Sequence, residues 1–230
     1  MPSQKILLDL TIYSSLLPVI VAFLRLRFLN RELRAFTGLI TVYSISIFLQ
    51  FYLARASINN LWVAHFYNLI EFNTLAILFS DWVDGDWPKA IIRLTIVLFS
   101  FFWLFSKIFL ERIDEPSVYT ATIAKLVLGL ISIYLLFGFA KQTESLIIED
   151  PRFWITASVL IASAGSATFL ALRGVIAKLP PQEFYHAYSF HWVILIITHM
   201  VNTWAFLCGR RVVADPGYPL RTRLIQSSVN

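Results

Sequence analysis

Charged residues are scarce in this chain. Asp, Glu, Lys and Arg make up 14% of its 230 residues, where soluble domains average roughly 25%, and 58% of the residues are hydrophobic. This balance excludes an ordinary soluble protein and is typical of an integral membrane protein. Charged residues that fall inside apolar stretches are the first candidates for function, because each is costly to place in hydrocarbon.

Cysteine is almost absent as well. The single cysteine, Cys208, excludes an intramolecular disulfide and any metal site with several cysteine ligands. The four histidines show no H-E-x-x-H spacing, and no G-x-S-x-G elbow, P-loop or dinucleotide fingerprint occurs. We therefore expect a protein that is not an enzyme, with no catalytic residues and no bound metal.

Seven long apolar segments fill most of the chain. They cover residues 6–26, 35–54, 60–80, 90–110, 118–140, 153–173 and 185–208. Each has about the 20 residues that a helix needs to cross a bilayer. We predict an all-α integral membrane fold, with seven transmembrane helices and short loops in a single domain at 1–209, followed by a basic tail at 210–230.

The basic residues indicate an orientation. With the N-terminus outside, twelve Lys and Arg residues fall in inner segments and six in outer ones. The excess lies mainly in the first loop, RLRFLNRELR, and in the tail, so we predict an outer N-terminus and a cytoplasmic C-terminus. These two basic segments face anionic lipid and are candidate contacts for a membrane or cytoplasmic partner protein, and no nucleic acid is expected.

The absence of any N-x-S/T glycosylation site gives no indication of a glycosylating compartment. A plasma membrane, most simply a bacterial inner membrane, is the expected location. Pro18 lies inside the first span and predicts a kink there, because proline cannot donate the helical hydrogen bond. Small residues at four-residue spacing in the sixth span, Ser158, Ala162 and Ser166, predict close packing of that helix between its neighbours.

Polar residues inside the spans form the only group in this sequence with the side chains needed to bind a ligand or to react. Span three carries three of them on one side of the helix, span seven carries three more on a common face, and span five carries a lysine. A carboxylate or an ammonium in hydrocarbon needs a partner or a wet cavity. We predict that seven residues form a ligand-binding site: His65, Asn68, Glu71, Lys125, His191, His199 and Asn202.

The depth of these residues predicts two layers. At about 1.5 Å per residue, His65, Lys125 and His191 lie roughly 8 to 11 Å below the outer surface, and Glu71 and His199 roughly 16 to 21 Å below it. Whether helices three, five and seven touch is not determined by the sequence. Asp9, near the start of span one, is a further candidate partner for Lys125.

Four functions fit this constellation. The first is a hydrogen-bond network that fixes helix packing. The second is a pocket for a small polar ligand or ion in a sensor or accessory membrane subunit. The third is part of a small secondary transporter or channel, and the fourth is a haem-b site. The haem hypothesis depends on the common depth of His65 and His191. The transporter hypothesis draws on an N-T-x-A-x-L pattern that begins at Asn73 and again at Asn202, as in a three-plus-one-plus-three parallel repeat.

Overall fold

A computed structural model describes residues 2–141, 147–176 and 178–214. The described residues form α-helices joined by short turns, without a strand, and the all-α prediction is confirmed. The helices are α1 (Pro2–Ser14), α2 (Leu16–Leu24), α3 (Arg31–Arg55), α4 (Leu61–Trp82), α5 (Asp86–Phe109), α6 (Tyr119–Lys141), α7 (Pro151–Ile176) and α8 (Pro181–Ala214). Helix α8 passes the predicted domain boundary at residue 209, and most of the predicted tail lies outside the described residues.

Six segments are long and apolar enough to cross a membrane. They are Lys5–Leu24, Arg31–Arg55, Asp86–Phe109, Tyr119–Lys141, Pro151–Arg173 and Gln182–Cys208. Helix α4, the third predicted span, has 22 residues and is not one of these six segments. Its buried residues occur on several sides, from Val63 to Trp82, because it packs against α3, α5 and α6. The chain is therefore a multi-pass membrane protein in which α4 packs inside the helix bundle; its orientation stays a prediction.

The first span is broken, as Pro18 predicts. Helix α1 ends at Ser14 and α2 begins at Leu16, so the interruption lies where the proline ring would meet the carbonyl four residues before it. The hydroxyl of Ser44 on α3 donates to the carbonyl of Ser15 at 3.0 Å. A side chain of a neighbouring helix thus satisfies backbone at the break, which is how membrane helices tolerate such interruptions.

Six of the seven predicted spans close into a ring, which we call the helix ring. This set includes α4 and leaves out α5. Its order is the broken span α1/α2, then α3, α4, α6, α7 and α8, and α8 packs back against both halves of the broken span. Helix α5 lies outside, against α4 and α6. The buried residues of α5 form one stripe, Ile92, Phe99, Trp103 and Ser106, and the Phe99 ring stacks on Phe72 of α4 at 4.0 Å. Because α4 and α6 are neighbours in the ring, spans three and five are in direct contact.

Helix α7 packs closely against α6 and α8 along its length, as its small residues predict. A Cβ added at Gly165 would lie 2.5 Å from Ile194 Cδ1 on α8. A Cβ added at Gly129 on α6 would lie 3.5 Å from the Cβ of Ser163 on α7. Small side chains are what allow such approaches where no hydrophobic effect drives helices together in lipid.

Candidate functional site

A cavity of about 300 Å³ lies at the centre of the helix ring. Every member of the ring lines it, whereas α5 contributes nothing to the lining. Five of the seven predicted site residues line this central cavity: Glu71, Lys125, His191, His199 and Asn202. The other two, His65 and Asn68, lie elsewhere. The ring thus brings residues of spans three, five and seven to one cavity, although spans five and seven are not neighbours in it.

Glu71 and Lys125 form an ion pair across the α4–α6 contact. Lys125 Nζ lies 2.6 Å from both Glu71 Oε1 and Glu71 Oε2. The side chains are 15% and 14% exposed, respectively, so the pair is largely withdrawn from its surroundings. Each charge thereby has the partner that its position in a membrane span demands. The structure does not keep the two predicted layers apart, because the long lysine stem reaches to the level of the carboxylate.

His199 connects three helices by hydrogen bonds. Its Nδ1 lies 2.9 Å from Ser14 Oγ at the end of α1, and its Nε2 lies 3.3 Å from the hydroxyl of Tyr43 on α3. The Tyr43 ring lies 5.3 Å from that of Tyr67 on α4, and both tyrosines line the cavity with Glu71. Polar side chains therefore run from the break in span one to the ion pair.

Asn202 bonds across the α7–α8 contact, where its Oδ1 accepts from the hydroxyl of Ser158. Both residues are buried. The sequence pattern placed Ser158 on the small-residue stripe of span six, so this serine serves both close packing and polar pairing. Asn73, the residue equivalent to Asn202 in the N-T-x-A-x-L pattern, bonds instead to Ser100 on the outer helix α5 at 3.3 Å.

Two buried polar atoms of cavity-lining residues have no hydrogen-bond partner among the described residues. They are Ser163 Oγ on α7 and His191 Nδ1 on α8. Ser163 is 2% exposed, and the His191 ring stacks on Phe169, with ring centroids 4.6 Å apart. An unsatisfied buried donor or acceptor costs about 1 to 3 kcal/mol, so native proteins hold few of them. Both groups have hydrogen-bonding capacity that a ligand in the cavity can use.

His65 lies outside the central cavity. It is fully buried beneath the loop between α5 and α6, where its Nε2 lies 2.8 Å from the carbonyl of Glu115. Trp103 of α5 donates to the His65 carbonyl at 3.1 Å. His65 and His191 therefore do not face one cavity, and the arrangement does not fit two axial ligands of one haem. Asn68 is also buried away from the cavity, and its Nδ2 has no hydrogen-bond partner in the described part of the chain.

A second buried ion pair lies at the C-terminal end of α5. Lys107 Nζ lies 2.6 Å from Glu111 Oε2, and the hydroxyl of Thr120 donates to the same oxygen at 2.8 Å. The backbone amide of Tyr119 also donates to this carboxylate. Burial alone would raise the pKa of Glu111, but the hydrogen bonds from Lys107 and Thr120 outweigh it and lower that pKa. Protein groups satisfy the hydrogen bonds of the Glu111 carboxylate, so this cluster stabilises the loop between α5 and α6.

Sequence reasoning missed several lining residues. Tyr43 and Tyr67 lie within apolar runs, and aromatic residues in membrane spans usually pack or anchor the helix at the interface. Ser163 is off the four-residue stripe of Ser158 and Ser166, so the packing pattern did not include it. One signal was available: Tyr67 precedes Glu71 by one helical turn and shares its face. Asp9 makes no hydrogen bond or ion pair within the described residues.

The basic first loop is partly occupied by contacts within the chain. Arg25 donates to the carbonyls of Phe206 and Leu207 on α8, at 2.8 and 2.6 Å, and Arg34 donates to the carbonyl of Leu29 at 2.9 Å. Arg27 and Arg31 are exposed. Fewer arginines of this loop are therefore available to a partner protein than the loop sequence predicts. The other half of it, the tail, lies mainly outside the described residues.

Comparison with known proteins gives no family for this chain. No protein-family model, curated protein sequence or solved structure matches it. A function must consequently be argued from the central cavity and the chemistry of its walls.

Proposed function

We propose that this protein binds a small polar ligand or ion in the central cavity and acts as a sensor or accessory subunit of the membrane. One observation carries the proposal: the cavity contains a buried ion pair, Glu71–Lys125, and adjoins two buried polar atoms that lack protein partners. Ionisable groups within membrane spans mark binding sites and pathways by default. Convergent polar groups in an otherwise apolar cavity are the usual form of a ligand site.

A purely structural network is a weaker account of the same residues. Polar side chains that only fix helix packing pair with one another, as Asn202 and Ser158 do. The central cavity instead leaves about 300 Å³ open. This volume lies at the lower end of the range of about 300 to 1,000 Å³ for small-molecule sites. A ligand that fills the cavity accounts for both the space and the unused hydrogen-bonding groups.

The role of sensor or accessory subunit fits the described architecture. The described helices are joined by short connections, so in this proposal a bound ligand acts on other proteins by changing how the helices present their surfaces. The exposed Arg27 and Arg31 are the proposed contact for a membrane or cytoplasmic partner. In this proposal the N-terminus is outside and the protein lies in a bacterial inner membrane.

Mass spectrometry of the intact protein, purified from its native membrane, tests ligand binding. Ala162 lines the cavity, whereas Ala164 on the same helix is exposed on the outer surface of the ring. The Ala162→Phe variant fills the cavity, and Ala164→Phe adds the same bulk outside it. We expect a non-covalent adduct on the wild-type and Ala164→Phe proteins that is lost in Ala162→Phe. Equal adducts on all three proteins, or none on any, would overturn the proposal.

A small secondary carrier is the second candidate. The broken first span reaches the cavity at Pro18, and interrupted helices at the substrate site are common in transporters. The ring order also puts spans one to three and five to seven in two successive arcs with span four outside, as a three-plus-one-plus-three repeat requires. Purified protein in sealed vesicles distinguishes the two roles: a carrier accumulates the molecule identified by mass spectrometry inside the vesicles, whereas a sensor only binds it.

A further inference from the structure

We infer that the ligand of the central cavity is a small amphipathic molecule without charged groups, which offers hydroxyl or carbonyl groups to Ser163 and His191. This inference rests on the proposed binding function and specifies its ligand class. It follows from three properties of the cavity: the balance of its charges, its unused hydrogen-bonding groups and the contrast between its walls.

The charges of the cavity are already balanced. Glu71 and Lys125 are the only charged side chains among its described lining residues, and they neutralise each other at 2.6 Å. A ligand with a net charge would be transferred from water into a cavity that has no unpaired charge of the opposite sign. Transferring an unpaired ion into such a medium is far more costly than transferring a neutral polar group.

The hydrogen-bonding atoms of the cavity that lack a partner belong to uncharged groups, Ser163 and His191. Ser163 carries a hydroxyl that can donate and accept, and it turns toward a ligand by rotation about a single bond. Its Cβ faces Gly129 of α6, one turn beyond Lys125, so it lies near the ion pair. His191 Nδ1 is the other unpaired atom. Hydroxyl and carbonyl oxygens satisfy both groups without any added charge.

The walls of the cavity contrast across the ring. Helix α3 contributes the apolar Phe36, Leu39, Ile40 and Ile47 together with Tyr43, and α7, opposite to it in the ring order, contributes Ser158, Ser163 and Ser166 together with Val159 and Ala162. The α3 wall is therefore mainly apolar, and the α7 wall carries three hydroxyl groups. The lining extends about 16 Å along α8 from His191 to Asn202. An elongated molecule with an apolar side and a hydrogen-bonding side matches these walls.

A zwitterion is the principal competitor, since the cavity offers one charge of each sign. To use them it must open the Glu71–Lys125 pair and bury four charges in place of two. The pair has both carboxylate oxygens engaged, so opening it gives up the bonds that hold α4 to α6. An uncharged ligand leaves the pair closed.

Four probes that share a branched carbon skeleton test the charge requirement. They are 3-methylbutan-1-ol, which is neutral, 3-methylbutylamine, a cation, isovalerate, an anion, and leucine, a zwitterion. Each is titrated at pH 7 against detergent-solubilised wild-type, Ala162→Phe and Ala164→Phe proteins, and the thermal unfolding midpoint is measured. We expect only the alcohol to raise the midpoint of wild type and Ala164→Phe relative to Ala162→Phe, with saturation.

The outcomes separate this inference from the proposed function. Selective stabilisation by the amine, isovalerate or leucine overturns the neutral ligand class and leaves the binding site standing. If no probe distinguishes the three proteins, the mass of the native adduct decides: a neutral compound supports the inference, and an ionic one overturns it. The absence of both an adduct and any selective probe overturns the proposed function together with the inference.

Removal of one hydroxyl provides the second variant. Ser163→Ala deletes the unpaired hydroxyl and leaves the Glu71–Lys125 pair intact. We expect it to bind 3-methylbutan-1-ol about fivefold more weakly than wild type, the equivalent of one lost hydrogen bond of about 1 kcal/mol. Thr168→Ala, at an exposed position of the same helix, should bind the alcohol as wild type does. Equal binding by wild type and Ser163→Ala would contradict the assignment.

Discussion

Lys125 Nζ lies 2.6 Å from each carboxylate oxygen of Glu71, and this contact closes the helix ring between spans three and five. The two spans are separated in sequence by α5, which leaves the ring and packs on its outside. The ion pair therefore joins helices that no short loop connects. Its place in the fold is at the seam where the first three spans meet the last three.

The first prediction concerns this seam. Replacing one partner, by Glu71→Gln or Lys125→Met, leaves an uncompensated buried charge, which costs about 3 to 5 kcal/mol for a buried pair. The double variant should recover most of the loss. Unfolding of each variant in detergent measures the difference in free energy. A double variant whose loss equals the sum of the two single losses would show that the pair does not hold α4 against α6.

The second prediction concerns the α7–α8 contact. An added Cβ in Gly165→Ala would lie 2.5 and 2.8 Å from two carbon atoms of Ile194, so we expect a loss of about 1 to 3 kcal/mol from overpacking. The matched control is Gly138→Ala, where a Cβ meets nothing within 4 Å. Both are measured by unfolding in detergent. Ile194→Val should partly rescue Gly165→Ala, and a Gly165→Ala protein as stable as the control would contradict the close approach.

The third prediction is a pH dependence at the loop between α5 and α6. The pKa of Glu111 is lowered in the folded protein from its ordinary value of 4.5. A lowered folded pKa stabilises the protein fully above the unfolded value, and this stabilisation is lost as the pH falls through the folded one. The stability difference between wild type and Glu111→Gln should thus be greatest near neutral pH and shrink below about pH 4.5. A difference that is constant from pH 7 to pH 3 would contradict the role of the ionised carboxylate.

The fourth prediction concerns orientation. In a Cys208→Ala background, Ala56→Cys between α3 and α4 should react with a membrane-impermeant maleimide added to intact cells. Asp84→Cys, between α4 and α5, should react only after the membrane is opened. Both positions are exposed. The reverse pattern of labelling would show that the N-terminus is inside and that the basic loop and tail face outward.

Composition and periodicity predicted the fold class because they depend on properties that each segment carries by itself. Apolar length gave the spans, and Pro18 gave the break in the first of them. Helix α4 shows where such single-segment properties stop: it is not one of the six segments that qualify as spans by length and apolar content, yet contacts on several sides bury it. Depth counted along a helix placed Lys125 away from Glu71, because it ignored the reach of the lysine side chain.

The candidate site was predicted only in part because helix neighbours are set by tertiary packing. The spacing of His65 and Glu71 puts them on the same face of one helix. In the structure, the loop between α5 and α6 lies over His65, and the carbonyl of Glu115 in this loop is its partner outside the cavity. The sequence contains no signal for the position of that loop. Tyr43 and Ser163 became lining residues because the ring closes with α3 and α7 opposite each other. Such pairings between distant helices do not follow from single-helix patterns.

The most direct test of the central claim is a high-resolution density map of the protein purified from its native membrane. The proposed function predicts bounded density inside the helix ring, in contact with Ser163 and His191, while Lys125 stays paired with Glu71. A ring whose side chains collapse to fill the space, with no density for a ligand, would contradict it.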